Sequence, residues 1–215
     1  MVFLPIAEFI YNDQQMKGVL SDRLYHKALD IMVAPLKRVA SIGIMLSDLL
    51  GNNQYCYTPL AGCIIDTSEA CLIACIREMT SPITLANYTQ FGDPFHHDLR
   101  TGDIILDQIN SLGVNPNNLF AFFRACEEYC LNSVAVPFWR GWLLSNPRYF
   151  IPPEVLHIYH RFYYDHDTQW CIRAVGSKEI NFRFSILQPI MGHQHFASRI
   201  TKLKQVTGRT FHDLQ

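Results

Sequence analysis

Residues 156–171 read LHIYHRFYYDHDTQWC, placing three histidines, two aspartates, five aromatics and a cysteine in sixteen positions. Set on a helix, Glu154, His157, Arg161 and Asp165 follow one another at three- and four-residue steps and form a polar stripe. Val155, Tyr159, Phe162, His166 and Trp170 make a mainly apolar one. A carboxylate and an imidazole one turn apart can hold a divalent ion or exchange a proton with a substrate. The same spacing also suits an amphipathic helix with an Arg161–Asp165 ion pair and His166 satisfied in the core. Spacing alone favours the amphipathic helix.

The other chemistry-bearing residues are fewer. His157 and His160 form an HxxH with Cys171 beyond, but a structural zinc site takes four ligands, usually as two close pairs, and the chain has no CxxC. Zinc is therefore not expected. Cys71 and Cys75, like Cys126 and Cys130, are four apart on expected helices, and a buried cysteine packs as a small hydrophobe. Asp66 follows the β-branched and aromatic run YCYTPLAGCIID, so the pattern predicts a short strand or hairpin ending at this carboxylate. A strand end suits a metal-binding aspartate. The helix that follows, DTSEACLIACIREM, makes Asp66 an N-cap with Glu69 at the capping-box position, and locally the cap is the favoured role. No glycine-rich phosphate loop or nucleophile elbow is present; Gly113 and Gly208 read as helix stops.

The positioning elements are mostly helical. SDRLYHKALDIMVAPLKRVASIGIML starts at an N-cap serine, Ser21, and carries Leu24, Ala28, Ile31, Met32 and Leu36 at helical spacing, with Pro35 expected to kink or end it. SDLLGNNQ is a turn, RTGDIILDQINSLG a helix closed by Gly113, and NPNNLFAFFRACEEYCLN another. An aromatic connection, VPFWRGWLLSNPRYFIPP, leads to Pro152 and Pro153, which open the helix of the first paragraph; that helix should run to about Gly176. EINFRFSIL alternates like a short strand, and HFASRITKLKQVTG is a basic helix. The expected fold class is mostly α with a small β component, in a single domain over residues 1–215.

Composition narrows the function classes. With 49% hydrophobic and 17% charged residues, the 215-residue chain can bury a core and is not disordered. Its net charge of −1 gives no global attraction to nucleic acid. The charge is uneven, however. Residues 170–215 hold seven lysines and arginines against two acids, a net +5, which leaves −6 for the rest. No apolar run reaches the ~18 residues of a membrane span. The opening MVFLPIAEFIYNDQQ lacks the features of a secretory signal, and the seven cysteines are odd in number. Reduced thiols in the nucleus or cytoplasm are expected, not secretion.

In order, LYHKALDIMVAPLK, CYTPLAGCIIDTSEACLIAC, FFRACEEYCLNSVAVPFWRGWLLSNP, PPEVLHIYHRFYYDHDTQWCIRAVGSKEINFRFSIL and GHQHFASRITKLKQVTGRTFHD resemble the Plavaka transposases of fungal mobile elements, relatives of the Kyakuja–Dileera–Zisupton group. The resemblance runs from about residue 20 to the end. It implies a partial ribonuclease-H-like core with helical additions, cutting DNA through an acidic triad and Mg²⁺ or Mn²⁺. The family's first aspartate would belong to a strand upstream of residue 1. The second matches Asp66 and the third Glu154, with Asp165 as its rival; Asp66 and Glu154 would hold the metal, and His157 and His166 would orient carboxylates. With the first aspartate and the family's cysteine-rich segment both missing, the expectation is a transposase-derived fragment without catalytic activity. The alternatives are a non-enzymatic DNA- or protein-binding remnant, using Arg199, Lys202, Lys204 and Arg209 on and after the basic helix, and a decayed reading frame with no function.

Overall fold

The computed structural model describes residues 8–10, 13–152, 163–188, 191 and 201. The chain divides into two compact units, Met1–Pro152 and Pro153–Gln215. Among the described residues the class is mostly α with one small sheet.

The first unit is organised by one long helix, α1 (Gln14–Ile42). It begins seven residues, about two turns, before Ser21, because the Asp13 carboxylate accepts the Met16 N–H at 3.0 Å and caps it. Val19, His26, Val33 and Ala40 recur every seventh residue and form its buried stripe with Met16. The stripe predicted from sequence is the other face: Ile31, Met32 and Leu36 are exposed. Pro35 does not end the helix. It sits on the exposed flank, so the carbonyl freed by its missing N–H is not sealed in the core. The helix stops at Gly43, whose φ of +72° and N–H bond to the Val39 carbonyl (2.8 Å) turn the chain. A β-carbon at Gly43 would collide with the Tyr55 ring.

Strands β1 (Ile44–Ser47) and β2 (Asn53–Cys56) pair antiparallel, with Met45 opposite Tyr55. The turn between them is set by Asp48, whose carboxylate accepts the N–H groups of Leu50 and Asn52. The expected strand does not reach Asp66. Pro59 and Gly62 interrupt it. The backbone from 57 to 66 is instead satisfied by single long-range bonds. Leu60 N–H donates to Ser145 Oγ (2.6 Å), Cys63 N–H to the Phe150 carbonyl (2.7 Å), and Trp142 Nε1 to the Thr58 carbonyl (2.8 Å).

Helices α2 (Thr67–Ile73) and α4 (Leu119–Ala125) are shorter than their sequence patterns suggest, and they end the same way. After α2, Cys75 adopts φ +60°, and the Ile76 N–H returns to the Cys71 carbonyl (3.0 Å). After α4, Cys130 adopts φ +55°, and the Leu131 N–H returns to the Cys126 carbonyl (2.9 Å). Both are the left-handed stop usually given to glycine, followed by a buried apolar residue. The two stops then clasp. Arg77 N–H donates to the Cys130 carbonyl (2.8 Å), Asn132 N–H to the Cys75 carbonyl (3.1 Å), and Ile76 bridges Leu131. The Cys-x₃-Cys spacing thus marks two matching helix ends. Cys71, Cys75 and Cys126 are buried, Cys130 is half-buried, and all are free thiols.

Between these ends lies α3 (Gly102–Ser111), capped by Thr101 and followed by Gly113 at φ +61°. A short α5 (Pro147–Phe150) closes the unit. Ile76, Ile105, Phe122, Leu131, Phe138 and Phe150 meet in one core, each contributing about 2–3 kcal/mol of hydrophobic stabilisation.

In the second unit, a π-helical turn (Tyr163–Thr168) leads into α6 (Gln169–Val175), which ends at Gly176 with φ +93°. The wider π winding rotates the faces expected of a regular helix. Tyr164 is buried here, whereas His166 and Trp170, expected on the core face, are exposed and meet edge to face at 5.7 Å. The segment EINFRFSIL is not a strand. It lies in α7 (Ser177–Ile186), where Arg183 Nε donates to Glu179 Oε1 (2.8 Å) one turn back.

Candidate functional site

The cleft that contains Asp66 follows from the packing of α1 against α2. His26 lies on the buried stripe of α1, and its Nδ1 accepts the Phe138 N–H at 3.1 Å. The ring proton must then sit on Nε2, which donates to the Leu72 carbonyl at 2.9 Å. Burial pushes the pKa of His26 down to about 4, so the ring is neutral at pH 7. One imidazole thereby ties α1, α2 and the aromatic connection together. Trp139 Nε1 adds a second tie, donating to the Ile73 carbonyl at 2.7 Å. The thiol of Cys75 lies 3.7 Å from His26 Nε2, and burial raises its pKa well above the ordinary range. Such a thiol is not a nucleophile.

The same packing opens a cleft of about 690 Å³ lined by Asp22, Asp66, Glu69, Glu78, Arg77 and Asn132, among others. Asp66 is exposed, and one oxygen, Oδ1, accepts the Glu69 N–H at 2.8 Å as the N-cap of α2. Glu69 turns away from the capping box; its Oε1 accepts the Tyr25 hydroxyl proton at 2.6 Å. The Tyr25 phenol is raised above its ordinary pKa, first by burial and then by that hydrogen bond. Asp22 is half-buried on α1, and burial raises its carboxyl to about 6. Arg77 is committed to the clasp, donating to the carbonyls of Leu131 and Phe123 and to Glu127, with its guanidinium 4.5 Å from the Phe123 ring centre.

The chemistry of the cleft is that of oxygen donors, which suits a hard divalent cation. Their arrangement does not. Among the described residues, no three carboxylates, imidazoles or thiols converge so as to hold a metal ion. Asp66 keeps its cap, Glu69 its tyrosine, and Asp22 is half-buried, where burial disfavours its charged form.

Of the residues singled out from sequence, Asp66 lies in this cleft, but as a helix cap ten residues beyond the last strand. Asp165 and His166 lie on the π turn of the second unit. Glu154, His157, Arg199, Lys202, Lys204 and Arg209 lie outside the described residues. Asp22, Tyr25 and His26 were not singled out. The seven-residue recurrence of Val19, His26, Val33 and Ala40 was the signal that a histidine faces the core.

No helix among the described residues is long and apolar enough to cross a membrane. No curated protein and no solved structure matches the chain. A family model described as Plavaka transposase matches residues 1–171, taking in the cleft and the whole histidine-rich segment 156–171 and ending before FRFSIL and the basic tail. With that match over most of its length, the chain belongs to the Plavaka transposase family.

Proposed function

We propose that this transposase-derived chain no longer cleaves DNA and instead associates with it as a binding protein. Strand cleavage by two metal ions needs carboxylates that clamp the ions about 4 Å apart. The observation that carries the reading is the bond from Glu69 N–H to Asp66 Oδ1. The family's best-matched acid spends an oxygen on holding α2, and its cleft neighbours are a hydrogen-bonded glutamate and an aspartate with a raised pKa. Glu154, with Asp165 as rival, is the candidate for the third acid, and Mg²⁺ or Mn²⁺ the metal such a site would need.

Two assays test this. Calorimetric titration with Mn²⁺ should give binding no tighter than ~1 mM, since too few free carboxylates remain to replace the ion's water. Supercoiled DNA incubated with Mn²⁺ should stay uncut by both the parent chain and Asp66→Asn, which removes the charge but keeps a capping oxygen. Micromolar Mn²⁺ binding, or cutting that Asp66→Asn abolishes, would restore the enzyme.

The association itself is assigned to the +5 excess of residues 170–215. Arg199, Lys202, Lys204 and Arg209 would meet phosphates without reading sequence. Fluorescence anisotropy at low salt should detect weak binding whose log–log salt slope is no steeper than about −4. Arg199→Ala/Lys202→Ala/Lys204→Ala should erase it. Unchanged binding in that variant would place the contact elsewhere, and no binding by the parent chain would favour the decayed reading frame.

A further inference from the structure

The hairpin of β1 and β2 is unusual for what surrounds it. Neither strand buries a residue on either side, although β1 reads Ile-Met-Leu-Ser. Met45 (57% exposed), Tyr55 (58%) and Tyr57 (53%) share one face, the two tyrosine rings 5.9 Å apart. Leu49 and Leu50 stand at the tip, almost wholly exposed. The outer face of α1, which leads into the hairpin, is apolar and exposed as well.

A two-stranded hairpin is marginally stable by itself, and proteins normally protect free strand edges with lysines, prolines or bulges. This one has none of these within its strands. Between Arg38 and Asp66 the only charged residue is Asp48, and its carboxylate is consumed by the turn. The turn is therefore well built, and the hairpin's surface is left apolar.

We propose that the hairpin is a self-association surface: two copies of this chain meet hairpin to hairpin about a two-fold axis, the Met45–Tyr55–Tyr57 face of one packed on that of the other. Three observations favour a second copy as occupant. The exposed apolar side chains of that face and of the tip, Met45, Leu49, Leu50, Tyr55 and Tyr57, offer on the order of 700 Å², close to the ~800 Å² that each partner gives to a standard interface. The Met45–Tyr55–Tyr57 face carries no charged side chain, the hairpin's one carboxylate, Asp48, being held in the turn, and an uncharged face is complementary to itself. The whole chain has a net charge of only −1, so two copies repel little on approach. Aromatic and methionine side chains at the centre of the patch are those enriched where interfaces carry most of their affinity. The proposal is independent of the DNA reading above.

Sedimentation velocity of the full chain over roughly a hundredfold range of concentration tests it. The expected result is a monomer–dimer equilibrium that goes no further, because an isologous contact closes on itself. Met45→Lys and Tyr57→Lys should each raise the dissociation constant by roughly 30-fold or more, with the far-ultraviolet spectrum unchanged because both side chains are already exposed. A parent chain that is monomeric throughout, a dimer indifferent to both lysines, or open-ended aggregation would each overturn the proposal. If either variant unfolds, amide exchange on the parent chain decides the matter. Protection that grows with concentration and is confined to residues 44–57 supports the interface, and its absence rejects it.

Discussion

Replacing Asp22 with asparagine should stabilise this protein at pH 7. Burial raises the Asp22 carboxyl to about 6, from an ordinary value of 3.8 in the unfolded chain. A group whose folded pKa is raised contributes most below its unfolded value and loses that contribution as pH climbs through the folded one. The charged carboxylate is therefore a liability from about pH 6 upward. Two pKa units correspond to about 3 kcal/mol. Asp22 is still partly hydrated at the lip of its cleft, so about 1–2 kcal/mol is the realistic gain. Asparagine keeps the shape and the polar atoms and removes only the charge. His26 works in the opposite direction. Its folded pKa of about 4 lies below the ordinary 6.5, so stability is complete above pH 6.5 and declines by up to about 3 kcal/mol as pH falls toward 4. Between pH 4 and 6 the two groups oppose each other, and the parent chain should show a shallow pH profile. In Asp22→Asn the histidine acts alone, so the acid side should steepen while the neutral plateau rises. Urea unfolding at half-unit steps from pH 4 to 8 measures both. Asp22→Asn less stable than the parent at pH 7, or a profile parallel to the parent's, would refute the reasoning.

Two further outcomes follow from the helix ends. Cys130→Gly should stabilise the protein by up to about 1 kcal/mol, seen as a higher urea midpoint, because Cys130 is half-buried and holds φ +55° with a β-carbon that disfavours it. Trp139→Phe keeps most of the buried ring but leaves the Ile73 carbonyl without the indole N–H, so the midpoint should fall by about 1–3 kcal/mol, with no change in the slope of the transition.

What could be read from the sequence was mainly what short-range rules control. The Asp66 cap, the Gly113 and Gly176 stops and the turn around Asp48 each depend on residues within four positions of one another, and each is where the pattern placed it. The errors have a common origin in longer-range competition. Strand patterning was extended to Asp66, yet residues 57–66 exchange the ladder for single bonds to Ser145, Phe150 and Trp142, more than eighty positions away. EINFRFSIL alternates like a strand but has helix-compatible spacing as well, and a Glu179–Arg183 pair one turn apart. The apolar stripe of α1 was assigned to the wrong side because both sides are apolar. Hydrophobic periodicity locates a buried face only when one face alone is hydrophobic. A helix with two such faces has a core on one side and something else to cover on the other. Met16, Val19, Val33 and Ala40 satisfy the first requirement within the chain, and Ile31, Met32 and Leu36 leave the second unmet. That unmet face runs directly through Gly43 into a hairpin that is also uncovered. The apparent misreading of α1 and the exposed hairpin are thus the same fact: the sequence encodes more apolar surface between residues 31 and 57 than the folded unit itself buries.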